Sequence, residues 1–282
     1  MSNQRTLCGV VEVEGIGFHS GASVRTRLWP ARANSGLVIS VGEVYIPVHP
    51  AHVVRTPMAT TLAAMGERVQ TVEHLLSAIH GLGIDNLRIE VDGGEVPILD
   101  GCGAEWSDAI GSVGMIEQDA PARVLQMLRT VEVRDGKRWA RLEPADGLEI
   151  DLTIEFDHAS IGRQRLSVTN SHGMYKRELA WARPFGLARR VPAMHRLGLV
   201  RGGSLDNAVV FDDDGPINPG GLRSPDEPVR HKILDAIGNL TLLGPRLNGR
   251  LVAEWPGDGL IVSLARAVAE RPESWTMRSA EA

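Results

Sequence analysis

Two short segments of the chain carry side chains of the kind that bind a divalent metal ion. His231-Lys-Ile-Leu-Asp235 places an imidazole and a carboxylate four residues apart, on one helical face, where both can reach a single ion. Glu73-His74 places a carboxylate beside an imidazole in the first turn of another predicted helix. A histidine and an aspartate at this spacing are more often a surface pair or a helix cap, so the spacing alone leaves both interpretations open.

These residue types suit a hydrolytic zinc centre if the two helices face each other. Catalytic zinc commonly takes three nitrogen or oxygen ligands from the protein and leaves the fourth position to water. His74, His231 and Asp235 form such a set. Glu73 is then free to act as general base on that water. The pattern predicts one zinc ion with a base beside it.

The elements that must position these residues are predicted from hydrophobic periodicity and from capping residues. One helix is predicted over 71–81, with Thr71 as its N-cap and Gly81 at its C′ position. The other helices are predicted over 104–113, 226–240 and 260–270. Strands are predicted over 6–14, 23–29, 36–40, 86–92, 129–134, 138–143, 148–156 and 249–255.

The order of these elements indicates the fold class. Strands come in runs instead of alternating strictly with helices, which favours an α+β fold over one doubly wound sheet. Leu76-Ser-Ala-Ile79 is echoed at 234–237, and each of these helices leads into a strand, a glycine-rich loop and another helix. This echo favours two similar layered domains. The pattern breaks at Pro121, which predicts domains over 1–120 and 121–282.

Composition excludes several classes of function. The 30 basic and 35 acidic residues give a net charge of −5, which offers no electrostatic footprint for nucleic acid. The arginine-rich stretch 177–201 is either a solvated face or an anion-contacting loop. Cys8 and Cys102 indicate neither a disulfide framework nor a metal site. Neither a signal peptide nor an apolar run of about 20 residues is evident, so we expect a soluble cytoplasmic protein.

Several further motifs occur in order along the chain. They are Gln4-Arg-Thr-Leu7, Gly15-Ile-Gly-Phe-His-Ser-Gly21, Val72-Glu-His-Leu-Leu-Ser-Ala78, Gly81-Leu-Gly-Ile-Asp-Asn86, Pro97-Ile-Leu-Asp-Gly101, Arg183-Pro-Phe-Gly186, Gly202-Gly-Ser204 and Arg230-His-Lys-Ile-Leu-Asp-Ala-Ile-Gly238. With these motifs the chain resembles the UDP-3-O-acyl-N-acetylglucosamine deacetylases of bacterial lipid A synthesis. The resemblance runs from residue 4 to about residue 270 and rests on independent motifs in register.

The resemblance carries expectations about fold and metal. It implies two layered α/β-sandwich domains of β-α-α-β type, each with an insert, around one zinc ion at the domain interface. It implies that His74, His231 and Asp235 bind the zinc and that Glu73 is the general base. The insert of the second domain, near 186–210, is expected to form a passage for an acyl chain.

The resemblance also implies a set of substrate contacts. Lys232 falls near the diphosphate or the acetyl oxygen, Phe185 lines the site, and His19 lies near the glycan. Gly203 is counted among the substrate-binding positions. The other histidines match no such motif and are expected to be ordinary surface or core residues. They are His49, His52, His80, His158, His172 and His195.

The chain departs from the family pattern at four functional positions. Asp258 stands where the family has a histidine that acts as general acid or electrostatic stabiliser, and no histidine follows His231. Asn239 replaces an aspartate, Trp255 a diphosphate-binding lysine, and Pro184 a threonine that donates to the oxyanion. We expect Asn239 and Asp258 to pair, Asp258 to be a candidate acid, and Trp255 to offer an apolar surface to substrate. Fewer cations predict weaker binding of UDP.

Three functions stay open at this level. The first is a zinc amidase that removes N-acetyl from an acylated amino sugar, either the lipid A precursor or a relative with another head group. The second is a non-catalytic zinc-binding homologue that binds an acylated glycolipid, and the third is a zinc hydrolase for an unrelated small amide or ester. Intact Glu73 favours an enzyme. The expected partner is a small acylated sugar, with or without a nucleotide, for a monomer that touches membrane surfaces at most transiently.

Overall fold

The computed structural model of the chain describes residues 2–54, 58–169 and 173–280. Its helices are α1 Glu73–Leu82, α2 Ala104–Val113, α3 Val191–Arg196, α4 Glu227–Leu240 and α5 Asp258–Ala269. Its strands are β1 Asn3–Leu7, β2 Val11–Ile16, β3 Ser23–Pro30, β4 Leu37–Val41, β5 Val44–Pro47, β6 Val53–Val54, β7 Thr61–Ala64, β8 Glu67–Val69, β9 Leu87–Asp92, β10 Met115–Pro121, β11 Arg123–Met127, β12 Val131–Asp135, β13 Arg138–Glu143, β14 Leu148–Glu155, β15 Arg163–Thr169, β16 Phe185–Leu187, β17 Val209–Phe211, β18 Leu247–Glu254 and β19 Trp275–Ser279. A π-helical turn spans Tyr175–Leu179.

Strands from the first part of the chain form a five-stranded sheet in the order β2-β3-β9-β4-β5. Neighbours are antiparallel except β4 and β9, which are parallel. Val24, Thr26 and Leu28 alternate with more exposed residues along β3, so one face of the sheet is turned to the core. Leu75 and Ile79 of α1 belong to that same core.

A seven-stranded sheet dominates the second part of the chain. Its main path is β12-β13-β18-β11-β19, and β14 joins β18 and also carries β15. The central strand β18 runs antiparallel to β13 and parallel to β14, and its residues Leu251 and Ala253 are buried. The helix α4 contacts β14, α5 contacts β12 and β13, and the two helices contact each other. One face of this sheet is therefore covered by helices.

The helices α1 and α4 contact each other, so the helical layers of the two parts of the chain meet. This arrangement of sheets and packed helices confirms the predicted layered α+β class. The division into domains over 1–120 and 121–282 stays a prediction. Among the described residues, no helix has the length and the apolar character needed to cross a membrane.

The single strand predicted over 6–14 is wrong. The structure has two strands there, β1 and β2, separated by a bend at which Cys8 N donates to Gly114 O at 3.0 Å. β1 pairs with β10, whereas β2 pairs with β3. Apolar residues occur on both sides of the bend, at Leu7, Val10 and Val11, and they give no signal that the partner strand changes.

Both predicted caps of the first helix are also wrong. Thr71 lies before the helix with φ 58°, and its hydroxyl donates to Glu95 Oε1 at 2.8 Å instead of capping α1. Val72 occupies the N-cap position. Gly81 lies inside the helix, and Gly83, with φ 70°, takes the left-handed conformation that ends it.

The other predicted helices are present in the structure, but several elements were not predicted. The helix predicted over 104–113 is α2, and those over 226–240 and 260–270 begin within two residues of α4 and α5. Between residues 157 and 225, where neither a helix nor a strand was predicted, lie β15, the π-helical turn, β16, α3 and β17. β15 is an edge strand whose alternate residues are exposed and polar, so its composition resembles that of a loop. β5, β6, β7, β8, β10, β11 and β19 were missed too.

Candidate metal centre

The candidate ligands come together because α1 and α4 cross with their backbones in contact. A Cβ atom on Gly238 of α4 would lie 2.0 Å from the carbonyl oxygen of Glu73, at the start of α1. Only glycine permits so close an approach. The contact holds the first turn of α1, which carries His74, against the part of α4 that carries Asp235.

His74, His231 and Asp235 form a buried cluster at this crossing. His74 Nε2 lies 3.3 Å and His231 Nε2 lies 3.2 Å from the same atom, Asp235 Oδ1. One ligand atom from each residue lies within 4.8 Å of the others. Two ligands of one tetrahedral zinc ion are separated by about 3.3–3.6 Å when each metal–ligand bond is about 2.0–2.2 Å. The three residues therefore fit a single zinc ion.

The second polar atom of two of these residues is already engaged. His231 Nδ1 donates to the carbonyl oxygen of Ala182 at 3.0 Å, which leaves Nε2 free to bind a metal. Lys232 Nζ donates to Asp235 Oδ2 at 2.6 Å, which leaves Oδ1 facing the two imidazoles. His74 Nδ1 is buried and has no hydrogen-bond partner among the described residues.

Burial and charge favour the metal-binding protonation state in two of the three residues, whereas in His74 the effect of burial is outweighed by Asp235, which raises the pKa of that ring. Burial lowers the pKa of His231 to about 4, so its Nε2 is unprotonated at neutral pH. Burial opposes the ionised form of Asp235, but His231 and Lys232 hold the pKa of that carboxyl well below its usual range. An imidazole and a carboxylate are therefore both ready to act as ligands.

Glu73 lies next to this cluster without belonging to it. Its side chain is buried, and Thr60 N donates to its Oε2 at 3.0 Å. Burial raises the pKa of Glu73 to about 8, against the opposing charge of His74. The predicted base is thus a carboxyl group held in place by the backbone, beside the candidate ligands.

A chain of hydrogen bonds connects Glu73 to the other acidic group of the site. Thr60, whose backbone holds Glu73, donates from its hydroxyl to Asn239 Oδ1 at 2.6 Å. Asn239 Nδ2 donates to Asp258 Oδ1 at 3.3 Å, and Lys232 Nζ lies 3.6 Å from the same oxygen. The expected pair of Asn239 and Asp258 is therefore present, and Lys232 stands between two carboxylates.

A cavity of about 1050 Å³ opens onto the cluster. Its walls include every residue predicted to act in the site: Glu73, Lys232, Asp258, His19, Phe185, Gly203, Trp255, His74, His231 and Asp235. Away from the cluster the lining becomes apolar. It includes Ile154, Phe156, Leu187, Val191, Met194, Val200, Leu205, Val210 and Ile217, several of which belong to the stretch predicted as an insert near 186–210.

His19 reaches the cavity on a loop that Glu95 fixes. Buried Glu95 accepts from the backbone N–H groups of His19 at 2.8 Å and Ser20 at 2.9 Å, and from the Thr71 hydroxyl. His19 Nδ1 accepts from Val200 N at 3.3 Å, so the proton of the neutral ring lies on Nε2, which has no partner among the described residues. Nε2 is therefore the protonated nitrogen of the ring, and it is buried.

The sequence matches a known protein family over most of its length. The family model for UDP-3-O-acyl N-acetylglycosamine deacetylase (LpxC) matches residues 4–270. The chain belongs to this deacetylase family. The resemblance inferred from the motifs is confirmed, and the family is one of hydrolytic N-deacetylases.

Three curated relatives named UDP-3-O-acyl-N-acetylglucosamine deacetylase show how far the similarity extends. The protein of Myxococcus xanthus is 44% identical over 277 residues, which are 97% of this chain and 88% of the relative. That of Acidithiobacillus ferrooxidans is 43% identical over 281 residues, covering 98% and 92%. That of Nitratiruptor sp. is 46% identical over 248 residues, covering 87% and 83%.

The positions at which the chain departs from the deacetylase pattern all adjoin the centre. Trp255, Pro184 and Asp258 line the cavity, and Asn239 is fully buried behind Asp258. Trp255 has φ 53°, and its indole N–H is buried without a partner among the described residues. Pro184 has no N–H to donate, and its carbonyl oxygen accepts from Val209 N at 2.7 Å.

Sequence reasoning missed several residues that support the site. Gly238 sets the helix crossing, Glu95 holds the His19 loop, and Thr60 holds Glu73. Glu227 was missed although it stands four residues before His231, on the same face of α4. That spacing was the one available signal. The predicted surface or core histidine His172 lies outside the described residues.

Proposed function

We propose that the chain is a zinc-dependent deacetylase that removes N-acetyl from an acylated amino sugar. UDP-3-O-acyl-N-acetylglucosamine, the molecule in the relatives' names, or a related glycolipid is the substrate. The observation that carries the proposal is the convergence of His74, His231 and Asp235, with Glu73 beside them, at the end of a large and mostly apolar cavity.

His74, His231 and Asp235 would hold the zinc ion, since their free atoms fit one tetrahedral centre. Zinc bound there supplies Lewis acidity toward an amide carbonyl and a water molecule. The carbonyl of Ala182 and the ammonium group of Lys232 orient two of the three ligands.

Glu73 is the proton carrier in this proposal. Burial favours the protonated form of this group, and a cation held by the neighbouring ligands would favour the ionised form. The carboxylate then takes a proton from the attacking water and returns it to the nitrogen of the departing amine. Thr60 N fixes one of its oxygens, so the group that exchanges the proton does not swing away from the centre.

Lys232 and Asp258 occupy the place where charge develops on the reacting amide. Lys232 places a cation close to the ligands, which suits a developing oxyanion. Asp258 is the second candidate proton donor, and its hydrogen bond from Asn239 holds it at the cavity wall. His19 lines the same cavity and gives a sugar a polar neighbour there.

The apolar part of the cavity suits the acyl chain. Phe185 packs edge to face against Phe156 at a ring separation of 5.0 Å, and both line the wall. Burial of each methylene group of an acyl chain is worth about 0.8 kcal/mol. Affinity is therefore expected to rise with acyl length until the cavity is filled.

The substrate either carries a nucleotide head group or lacks one, and one observation favours a substrate without a nucleotide. Asp258 and Trp255 stand at the cavity wall, and Lys232 is already paired with Asp235 and Asp258. Next to the cluster a diphosphate would face a carboxylate and a partly neutralised cation, whereas Arg138 and Arg190, which also line the cavity, would attract it from another side. The non-catalytic alternative has no comparable support, because Glu73 is intact and the relatives are named as deacetylases.

Acetate release measured by mass spectrometry tests the proposal. Acylated N-acetylglucosamine carrying UDP is compared with the same sugar without the nucleotide, each with zinc-loaded protein. Release from either substrate, abolished by chelation and restored by zinc, supports the deacetylase. No release from either, in a protein that binds zinc, would contradict it. The cytoplasmic location, the monomeric state and transient contact with a membrane surface stay predictions.

A further inference from the structure

The imidazole of His231 is oriented by a carbonyl group whose own segment is fixed on both sides. Ala182, which supplies the carbonyl, is fully buried between the π-helical turn and β16. On one side of it, the carbonyl oxygen of Trp181 accepts from Arg223 Nη1. On the other side, Arg183 N donates to a buried carboxylate at 3.1 Å. The peptide groups that flank Ala182 therefore have little freedom to rotate.

That carboxylate is Glu227, in the first turn of α4, with a fully buried side chain. Its Oε1 accepts from Arg183 N at 3.1 Å and from Arg183 Nε at 2.9 Å. Its Oε2 accepts from Arg183 Nη2 at 3.1 Å and from Arg223 N at 2.7 Å. Four donors, two of them backbone groups, thus meet on one side chain.

Glu227 stands on the same helix as His231, one turn earlier. It draws the segment around Arg183 onto α4, and the neighbouring carbonyl of Ala182 then meets His231 Nδ1. Glu227 and the candidate ligand His231 are therefore carried by one helix. These contacts set the distance from the carbonyl to the ring.

We propose that Glu227, acting through Arg183 and the carbonyl of Ala182, is a positioning residue that fixes the tautomer and the ring orientation of His231 for metal binding. The inference rests on the proposed metal site. Partners of the outer nitrogen of a ligand histidine set its tautomer and its basicity, and losing them typically weakens metal binding about 10- to 100-fold.

If the Arg183–Glu227 pair only stabilised the fold, its loss would affect the metal no more than the loss of a similar buried pair elsewhere. The pair of Asp85 and Arg246 serves as that control. Asp85 is also buried and accepts two bonds of 2.8 Å from Arg246, through Nε and Nη2. It also accepts a backbone bond from Arg5 N at 2.8 Å. Asp85 does not line the cavity of the candidate centre. Loss of either buried carboxylate destabilises the fold, but only loss of Glu227 should affect the metal.

The test measures zinc affinity by competition with a chromogenic chelator, for the full chain and for Glu227→Gln and Asp85→Asn. We expect binding to weaken about 10- to 100-fold in Glu227→Gln and to stay at the wild-type value in Asp85→Asn, with stability reduced in both. Wild-type affinity in Glu227→Gln would overturn the inference and leave the proposed function standing. A wild-type chain that binds no zinc would instead overturn the proposed function.

A milder variant keeps the inference testable if Glu227→Gln does not fold. Arg183→Lys retains the charge and the backbone N–H but loses the planar fork that grips the carboxylate. We expect weaker zinc binding and, in the ¹⁵N spectrum of the zinc-free chain, a mixture of His231 tautomers where the wild type shows Nδ1–H alone. The His231→Gln variant identifies the signal. Wild-type affinity together with a single wild-type tautomer would contradict the role assigned to Glu227.

Discussion

Gly238 of α4 lies against the backbone of Glu73 of α1, and a Cβ atom at Gly238 would come within 2.0 Å of the Glu73 carbonyl oxygen and 2.7 Å of its carbonyl carbon. The closest point between the two helices is therefore also the point from which the candidate base extends. His74 follows Glu73 directly, and Asp235 lies less than one helical turn before Gly238. Because Gly238 has no side chain, the candidate ligand of α1 can come close to those of α4.

Substitution of Gly238 by alanine should push α1 and α4 apart. We expect the free energy of unfolding to fall by about 1–3 kcal/mol, as overpacking in a well-packed core usually does. Zinc binding should weaken as well, because His74 moves away from Asp235. Urea denaturation and chelator competition measure the two effects. The control is Gly147→Ala, where a Cβ meets nothing within 4 Å. Wild-type zinc affinity in Gly238→Ala would contradict this account of the helix crossing.

The purified chain should hold about one zinc ion, measured by elemental analysis. His74→Ala or Asp235→Ala should lose it, because two remaining ligands give too little coordination. His158→Ala removes a half-buried histidine outside the cavity and serves as the control that keeps the metal. A wild-type chain without zinc, even after reconstitution, would show that the cluster is not a zinc site.

The substitution Glu73→Gln separates metal binding from proton transfer. The amide keeps an oxygen that can accept from Thr60 N but cannot take a proton from water. We therefore expect zinc content and stability close to the wild type and a kcat lower by about 10²–10⁴. Turnover at the wild-type rate would assign the base elsewhere, with Asp258 the next candidate.

The affinity for UDP should be low and should rise when the cations of the family pattern are restored. Asp258→His together with Trp255→Lys removes a carboxylate and adds a cation at the cavity wall. Repulsion between two unit charges costs about 1 kcal/mol or more at a partly solvated site. Titration calorimetry measures the effect. Tight wild-type binding of UDP that the double substitution abolishes would reverse the assignment of the head group.

Stability should fall in mild acid because of His80, which lies on α1 outside the metal cluster. Burial, with a contribution from Arg246, lowers the pKa of His80 from 6.5 to about 4 in the folded chain. Above pH 6.5 neither state binds this proton, and stability is full. Between pH 6.5 and about 4 the unfolded chain binds it and the folded chain does not, so the free energy of unfolding falls by up to about 3 kcal/mol. His80→Gln should flatten that part of the profile in urea titrations at several pH values. An equal slope in the variant would assign the acid sensitivity to other groups.

Local patterns predicted the four longer helices, α1, α2, α4 and α5, and they selected the candidate ligands. The spacing of His231 and Asp235 needs only a helix to place both side chains on one face, and α4 supplies it. The cap of α1 could not be predicted in this way. Threonine is a common N-cap residue, but the hydroxyl of Thr71 donates to the carboxylate of Glu95, which lies on a distant loop.

The supporting residues escaped prediction for the same reason. Three supporting contacts join residues far apart in sequence. They are the contact of Gly238 with Glu73, the hydrogen bond from Arg183 N to Glu227 beside Ala182, and the hydrogen bond from His19 N to Glu95. Apart from the four-residue spacing between Glu227 and His231, none of these contacts leaves a periodic signal, because each depends on which backbone passes close by in three dimensions. The partner of β1 was unpredictable on the same grounds, since alternation shows that a strand exists and not what it pairs with.

The ligands come from helices on opposite sides of a long stretch of chain, with His74 before it and His231 and Asp235 after it. No short fragment contains a complete site, and the chain must close a loop of most of its length before the three residues meet. Capture of a metal ion at this site would therefore be a late event in folding, and it would report that both sheets and the helix pair between them are assembled. A bound ion would also act as a cross-link that limits how far the two helices can separate while a substrate enters.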